Sequence, residues 1–106
     1  MRAIILSLLL LGGTTQSYAQ FYDGNSLYQV CDQRGNNYSS GVCGGYVIGT
    51  IDTYLLTKSY PLCLPTNATA GQLTDVVIRY LETRPDQRHY AAASVVWTAL
   101  TESFPC

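Results

Sequence analysis

Residues 69–106 read TAGQLTDVVIRYLETRPDQRHYAAASVVWTALTESFPC, and this stretch carries the strongest structural signal in the chain. Thr69 and Gln72 form a capping-box pattern, in which each side chain can pair with a backbone N–H group left free in the first helical turn. Apolar residues then follow at the i, i+3, i+4, i+7 and i+8 positions of an amphipathic helix, namely Leu73, Val76, Val77, Tyr80 and Leu81. The pattern predicts a helix that begins directly after Thr69.

A further helix is predicted after this one. Pro85 ends the first helix, and Asp86 is a suitable N-cap for the next. A second apolar stripe at helical spacing then runs through His89, Ala93, Val96, Trp97, Leu100 and Phe104. Because residues 83–85 make a short linker, we expect the two helices to be antiparallel.

The first half of the chain predicts two more helices. Residues 26–33 can form a short one, and residues 34–40, RGNNYSS, form a polar loop. Residues 41–58 are rich in β-branched side chains, but their length of about 18 residues favours a helix, since strands usually run 4–8 residues. Three glycines in this segment would each cost roughly 1 kcal/mol in an exposed helix, so we expect another backbone to pack against them; they are Gly44, Gly45 and Gly49. The predicted fold is all-α, a small bundle of about four helices.

The N-terminus predicts export. Met1-Arg2 supplies a positive charge, residues 3–11 are almost entirely apolar, and Ser17-Tyr18-Ala19 provides small residues for cleavage, which is the layout of a secretory signal peptide. The apolar core of about nine residues is too short for a membrane-spanning helix, which needs roughly 20. We predict a signal peptide at residues 1–19 that is cleaved after Ala19, and one domain at residues 20–106 without a membrane anchor.

The cysteines predict two disulfides that staple the bundle. Cys31, Cys43, Cys63 and Cys106 are an even set in a small exported chain, and a domain this short is marginally stable without such support. No two cysteines lie two to four residues apart, so the spacing does not fit a structural zinc site. Four cysteines allow three pairings. Neighbouring helix ends in an antiparallel bundle favour Cys31 with Cys43 and Cys63 with Cys106.

Charge and residue inventory argue against several function classes. Without Arg2, five basic residues face seven acidic ones, a net charge of −2 with histidine neutral, and the basic residues are scattered. We therefore expect no nucleic-acid partner. The only histidine, His89, falls on an apolar stripe, and the cysteines are expected in disulfides, so no nucleophile–base pair is apparent. We predict no catalytic residue, no metal and no cofactor.

Tyr46, Gly49 and Asp52 recur every three residues along the second helix. One interpretation is a packed tyrosine, a close helix contact and a solvated aspartate. The other is that Gly45 and Gly49 admit a neighbouring helix while Asp52 hydrogen-bonds across the contact. The second interpretation requires a donor, because a buried carboxylate must be paired.

A partner-facing surface is predicted from the tyrosines. Eight of the nine tyrosines lie beyond the leader, and tyrosine is enriched at binding hot spots because it combines a large contact area with a polar tip. Two of them fall in predicted loops and are expected to be exposed. With three polar neighbours they form the candidate surface, which consists of Tyr22, Arg34, Asn36, Asn37 and Tyr38.

Several spaced motifs together resemble the Tai family, the periplasmic immunity proteins that neutralise type VI secretion amidase effectors. The motifs span residues 24–106 and are Cys43-x-x-Tyr46-x-x-Gly49-x-x-Asp52, Cys63-x-Pro65, Thr69-x-x-Gln72-Leu73-x-x-Val76-Val77-x-x-Tyr80-Leu81, Pro85 with His89, and Phe104-Pro105-Cys106. The resemblance implies a helical periplasmic homodimer that binds a cognate peptidoglycan amidase and occludes its cleft. It assigns no inhibitory residue.

Two other classes stay open at this point. A small periplasmic stress chaperone of the acid-activated helical type shares the size, the export and the disulfides. A minor envelope or phage-encoded structural protein is the other alternative. A neighbouring gene for a small amidase would favour immunity, whereas suppression of aggregation at low pH would favour the chaperone.

Overall fold

The computed structural model describes residues 20–57 and 61–106. The predicted signal peptide and the predicted helix end at Lys58 lie outside these residues. The described parts form four α-helices and no β-strand, which confirms the all-α prediction. The helices are α1 (Gly24–Cys31), α2 (Asn37–Thr57), α3 (Ala70–Thr83) and α4 (Ala92–Ser103), and a 3-10 turn at Pro85–Gln87 precedes α4. None of the described helices combines the length and the apolar character that crossing a bilayer requires.

Side-chain caps set the starts of the first two helices. The Asp23 carboxylate accepts hydrogen bonds from the Ser26 backbone N–H at 2.8 Å and from the Ser26 hydroxyl at 3.0 Å, so α1 begins at Gly24. The Asn36 side chain accepts a hydrogen bond from the Ser39 backbone N–H at 3.0 Å, and α2 begins at Asn37. The predicted loop at residues 34–40 is therefore helical in its second half, because asparagine there acts as a cap.

The start of α3 agrees with its prediction. The Gln72 backbone N–H donates to the Thr69 hydroxyl at 3.1 Å, and the Thr69 backbone N–H donates to the Gln72 side chain at 2.9 Å. This reciprocal pair is the predicted capping box.

The start of α4 differs from its prediction. The helix begins at Ala92, whereas Asp86 lies in the 3-10 turn and caps no α-helix. His89 precedes α4 and is exposed, so its predicted place on the apolar stripe is wrong. The reason is long-range, because the backbone of residues 88–92 pairs with the entry to α1.

Three backbone hydrogen bonds form that pairing, which we call the α1 clamp. The Gly24 N–H donates to the Tyr90 carbonyl at 2.8 Å and the Asn25 N–H to the Arg88 carbonyl at 2.8 Å. The Ala92 N–H donates to the Tyr22 carbonyl at 3.0 Å. The approach is so close that a Cβ atom on Gly24 would lie 2.6 Å from the Arg88 carbonyl oxygen.

The Arg88 side chain reinforces the clamp. Its Nε donates to the Leu81 carbonyl at 2.7 Å, and its guanidinium lies 3.7 Å from the centre of the Tyr28 ring. Arg88 thus joins α1 to the end of α3.

The core lies where the inner faces of all four helices meet. Its largest fully buried side chains are Leu27, Leu81, Leu100, Val47, Val77, Val96 and Cys43. Trp97 is half-buried and packs edge-on against the Tyr54 ring at 4.5 Å, while the Tyr54 hydroxyl donates to the Ala93 carbonyl at 2.7 Å. These contacts hold α2 against α4.

Two disulfides close the bundle with the favoured pairing. Cys31 bonds to Cys43 and Cys63 bonds to Cys106, so the pairing prediction is confirmed. The first bond is buried in the core, whereas both cysteines of the second are exposed. The second bond ties the chain terminus to the segment before α3, where the Cys63 N–H also donates to the Phe104 carbonyl at 3.2 Å.

Candidate functional site

Four of the five residues predicted to face a partner lie together at the connection between α1 and α2. Arg34, Asn36, Asn37 and Tyr38 are all exposed, and Tyr38 retains 80% of its full accessibility. The Arg34 guanidinium lies 3.7 Å from the Glu82 carboxylate on α3, an exposed pair that contributes little to stability. The connection therefore presents hydrogen-bonding groups and one aromatic ring to solvent.

The fifth residue, Tyr22, is separated from this surface. Its ring stacks on the Tyr46 ring at a centroid distance of 5.5 Å, and both residues are half-buried. Burial raises the pKa of the Tyr46 hydroxyl, and the backbone of Ala93 partly opposes that rise. Tyr22 therefore packs the entry of α1 against α2. This contact could not be predicted from the sequence, because Tyr22 and Tyr46 are far apart in the chain.

The outward side of α2 carries a continuous set of exposed residues. We call it the outer strip of α2, and it consists of Tyr38, Gly41, Gly45, Gly49, Asp52 and Leu56. Among the described residues, a Cβ atom on any of its three glycines would meet nothing within 4 Å. The expected close packing of a backbone on Gly44, Gly45 and Gly49 is absent from the described part of the chain, since the inner face of α2 makes the contacts with the other helices.

The structure also resolves the two interpretations of the Tyr46–Gly49–Asp52 motif. Asp52 is exposed, so it is not a buried carboxylate that bridges two helices of this chain. Tyr46 is packed, in agreement with the first interpretation, but Gly49 contacts none of the other helices that the structure describes. The three residues lie at different angles around the axis of α2. Tyr46 therefore faces the bundle, whereas Gly49 and Asp52 face solvent.

A groove between α3 and α4 was not anticipated from the sequence. It encloses about 410 Å³ and is lined by Asp75, Val76, Arg79, Tyr80, Thr83, Arg84, Ala99, Glu102 and Ser103. Arg84 lies 3.8 Å from the Glu102 carboxylate and 5.3 Å from the centre of the Tyr80 ring. Burial raises the pKa of the Tyr80 hydroxyl, and the nearby Glu102 charge raises it further. The groove combines an apolar floor with charged rims, and such a surface can bind another protein.

The reactive side chains are dispersed or already engaged. All four cysteines are in disulfides. His89 is exposed and its ring lies 4.1 Å from the Tyr90 ring. Within residues 20–57 and 61–106, no group of three histidine, cysteine or acidic side chains is arranged to hold a metal ion. What the described surface offers is hydrogen-bonding and apolar contact area.

The comparison with protein families agrees with a binding role. The family model of the Rap1a immunity proteins matches residues 23–106, which include all four helices and both disulfides. The chain belongs to the Rap1a immunity protein family. Comparison with curated proteins finds no match.

Membership in the Rap1a family agrees with the class of protein that the sequence motifs predict. Rap1a proteins are immunity proteins of type VI secretion, and membership implies that the chain binds a cognate effector. The motifs resemble the Tai family, whereas the matching family is Rap1a. The shared conclusion is type VI effector immunity.

The two disulfides are consistent with where Rap1a proteins act. Disulfides form and persist in oxidising compartments such as the bacterial periplasm, and members of the Rap1a family are generally periplasmic. The buried Cys31–Cys43 bond joins the end of α1 to α2, next to the exposed connection. This arrangement fixes the helix ends that carry the candidate surface.

Proposed function

We propose that this Rap1a family member is exported to the periplasm, where it binds a peptidoglycan amidase effector delivered by type VI secretion and occludes its cleft. The observation that carries the proposal is the family match over the whole described bundle. The amidase target is supported by the resemblance of the motifs to Tai proteins. Export with cleavage after Ala19 is supported by the N-terminal sequence pattern.

The physical basis of inhibition is a preorganised surface. The Cys31–Cys43 disulfide and the Asn36 cap hold the backbone around the α1–α2 connection, and the α1 clamp fixes the other end of α1. A surface that is ordered before binding loses less conformational freedom on association. Steric occlusion therefore needs only a tight, rigid contact over the effector cleft, and no chemistry from the inhibitor.

We propose that the effector contacts the α1–α2 connection through Arg34, Asn36, Asn37 and Tyr38. Their exposure and proximity support this assignment. Tyr22 is left out because its ring is stacked on Tyr46. The protein is also proposed to act as a homodimer, as the Tai resemblance implies.

The proposal is tested with the purified mature protein and a candidate peptidoglycan amidase effector of type VI secretion. We expect a stable complex and loss of peptidoglycan cleavage at saturating immunity protein. Undiminished cleavage at saturation would remove the inhibitor assignment.

The contact surface is tested by a charge reversal. Arg34→Glu should weaken effector binding, because it replaces the one positive charge of the proposed surface with a negative charge. Arg79→Glu makes the same charge change in the groove between α3 and α4, and it should bind like the wild-type protein if the effector contacts the α1–α2 connection and not this groove. Equal binding by both variants would move the contact away from the α1–α2 connection.

A further inference from the structure

The groove between α3 and α4 contains a buried hydroxyl group without a hydrogen-bond partner. Tyr80 lines the groove, and only 8% of this residue is exposed. Within the described part of the chain its hydroxyl makes no hydrogen bond, whereas the charges of Glu102 and Arg84 act on it and therefore lie close by. Most buried polar side-chain atoms in proteins have a partner. The missing one points to a group that enters the groove from outside.

The groove also carries one carboxylate and one guanidinium that are free to bind a ligand. Asp75 and Arg79 lie one helical turn apart on α3, and both are exposed. Among the described residues, neither belongs to an ion pair. Arg84 differs, because it lies 3.8 Å from the carboxylates of both Asp86 and Glu102, which offset its charge. The available charges of the groove are therefore one negative and one positive.

The floor between these charges is small and apolar. Val76, Ala99 and the Tyr80 ring form it, and Ala99 is only 1% exposed. The groove encloses about 410 Å³, which is within the range of roughly 300–1,000 Å³ found for small-ligand pockets. A ligand of this size can cover the floor with small apolar side chains.

The spacing of the charges sets the kind of ligand and its length. A ligand with charge of one sign only would meet a like charge at Asp75 or at Arg79, so the ligand must carry both signs. Asp75 and Arg79 are about 6 Å apart along α3, and Asp75 and Arg84 are about 14 Å apart. An extended peptide spans about 3.5 Å per residue. Two residues therefore cover the first distance and four cover the second.

We propose that the groove between α3 and α4 binds a short zwitterionic peptide of two to four residues. The ammonium group of the peptide lies at Asp75. Its carboxylate accepts hydrogen bonds from the Arg79 guanidinium and the Tyr80 hydroxyl, and its small side chains cover Val76 and Ala99. None of the residues proposed to contact the effector lines this groove. The peptide site is thus separate from the effector surface and does not depend on the proposed function.

The exposure of the two charged groups sets the strength of binding. Exposed ion pairs each contribute little and are screened by salt. We therefore expect a dissociation constant of about 0.1–1 mM, which should rise with salt concentration. The buried Tyr80 hydroxyl is screened less, so it should contribute more to binding than its lack of charge suggests.

The first test is an NMR titration of the ¹⁵N-labelled mature protein with two synthetic tripeptides. One is alanyl-γ-D-glutamyl-diaminopimelate, which has the chemistry of peptides released from the cell wall, and the other is Ala-Glu-Lys built from L-residues, which represents protein breakdown. Amide shifts should change in the parts of α3 and α4 that line the groove. The peptide that binds more tightly identifies the source. The absence of shifts with both peptides at about 10 mM would overturn the site.

The second test uses variants on the titration. Tyr80→Phe keeps the ring and removes the hydroxyl, so it should weaken peptide binding about tenfold. Its melting temperature should not fall, because the hydroxyl makes no hydrogen bond within the described chain. Arg79→Glu should abolish binding, whereas Arg34→Glu, the same charge change outside the groove, should bind the peptide like the wild-type protein. Unchanged peptide affinity in Tyr80→Phe and Arg79→Glu would overturn the proposal.

The orientation of the peptide is tested by blocking its amino group. Acetylation of the N-terminus should weaken binding to the wild-type protein, because the ammonium group at Asp75 is lost. The Asp75→Asn variant should bind the free and the acetylated peptide equally well. An equal loss on acetylation in both proteins would overturn the placement of the ammonium group.

Effector binding, measured on the same samples, separates this site from the proposed function. Arg79→Glu should still bind the amidase, and Arg34→Glu should still bind the peptide. A protein that binds the peptide as described but no amidase would remove the proposed function and leave the site intact. A protein that inhibits the amidase but binds neither peptide would do the reverse.

Discussion

Replacing Gly24 with alanine should be among the most destabilising small substitutions in this protein. A Cβ at this position would lie 2.6, 2.7 and 2.9 Å from the carbonyl oxygen, Cα and carbonyl carbon of Arg88. These are backbone atoms, so no side-chain rotation can relieve the overlap. The methyl group can be accommodated only if α1 and residues 88–90 move apart.

The expected magnitude follows from what that movement disrupts. The hydrogen bonds from Gly24 to Tyr90 and from Asn25 to Arg88, both 2.8 Å long, would lengthen, at about 1 kcal/mol each. Overpacking adds roughly 1–3 kcal/mol, and the better helix propensity of alanine returns at most about 1 kcal/mol. We therefore expect a net loss of about 2–4 kcal/mol, and a fall in melting temperature of about 10 °C or more.

The assay is urea unfolding followed by circular dichroism, with Gly71→Ala as the matched control. Gly71 also lies in the first turn of a helix, but a Cβ there makes only an ordinary contact with the Thr69 hydroxyl. The control should be as stable as the wild-type protein or slightly more stable. If Gly24→Ala unfolds at the same urea concentration as the control, the close approach of α1 to residues 88–90 is wrong.

Three further predictions concern the caps and covalent links. Asn36→Ala should lower the free energy of unfolding by about 1 kcal/mol through loss of the α2 cap, and an unchanged urea midpoint would contradict this. The hydrogen bonds from Ser26 lower the pKa of Asp23, so this carboxylate stabilises the fold at neutral pH and the contribution is lost as pH falls through its folded-state pKa. The stability difference between wild type and Asp23→Asn should therefore shrink on acidification below about pH 4, whereas a difference independent of pH would exclude the ionic cap. The exposed C-terminal disulfide should be reduced by dithiothreitol before the buried α1–α2 disulfide. Alkylation of the freed thiols and peptide mass spectrometry show the order of reduction. Reduction of the α1–α2 disulfide first would contradict its burial.

Features encoded by neighbouring residues were predictable from the sequence. The Thr69–Gln72 capping box involves side chains three positions apart, and it forms as expected. The pairing of Cys31 with Cys43 and of Cys63 with Cys106 followed from the order of antiparallel helices. The apolar spacing of α3 placed Leu73, Val77 and Leu81 in the core, because helical periodicity determines which side chains share a face.

Features of the candidate surfaces depended on contacts between distant residues. The outward position of Gly45 and Gly49 could not be told from a packed one, because glycine has no side chain whose polarity reports its surroundings. Tyr22 was expected in solvent, yet stacking on Tyr46 brings it inward. The groove beside Tyr80 arises only from the crossing of α3 and α4.

The helix boundaries show the same division. An N-cap three residues from its donor is a local feature, so local chemistry suffices to begin α3 at its observed position. Asp86 has the same chemistry but begins no α-helix, because the backbone of residues 88–92 forms hydrogen bonds with residues 22–25 and is held outside a helix until Ala92. Periodicity and capping thus specify the four helices and their inner faces, whereas hydrogen bonds that span more than 60 residues specify where the last helix begins and how tightly the first one docks.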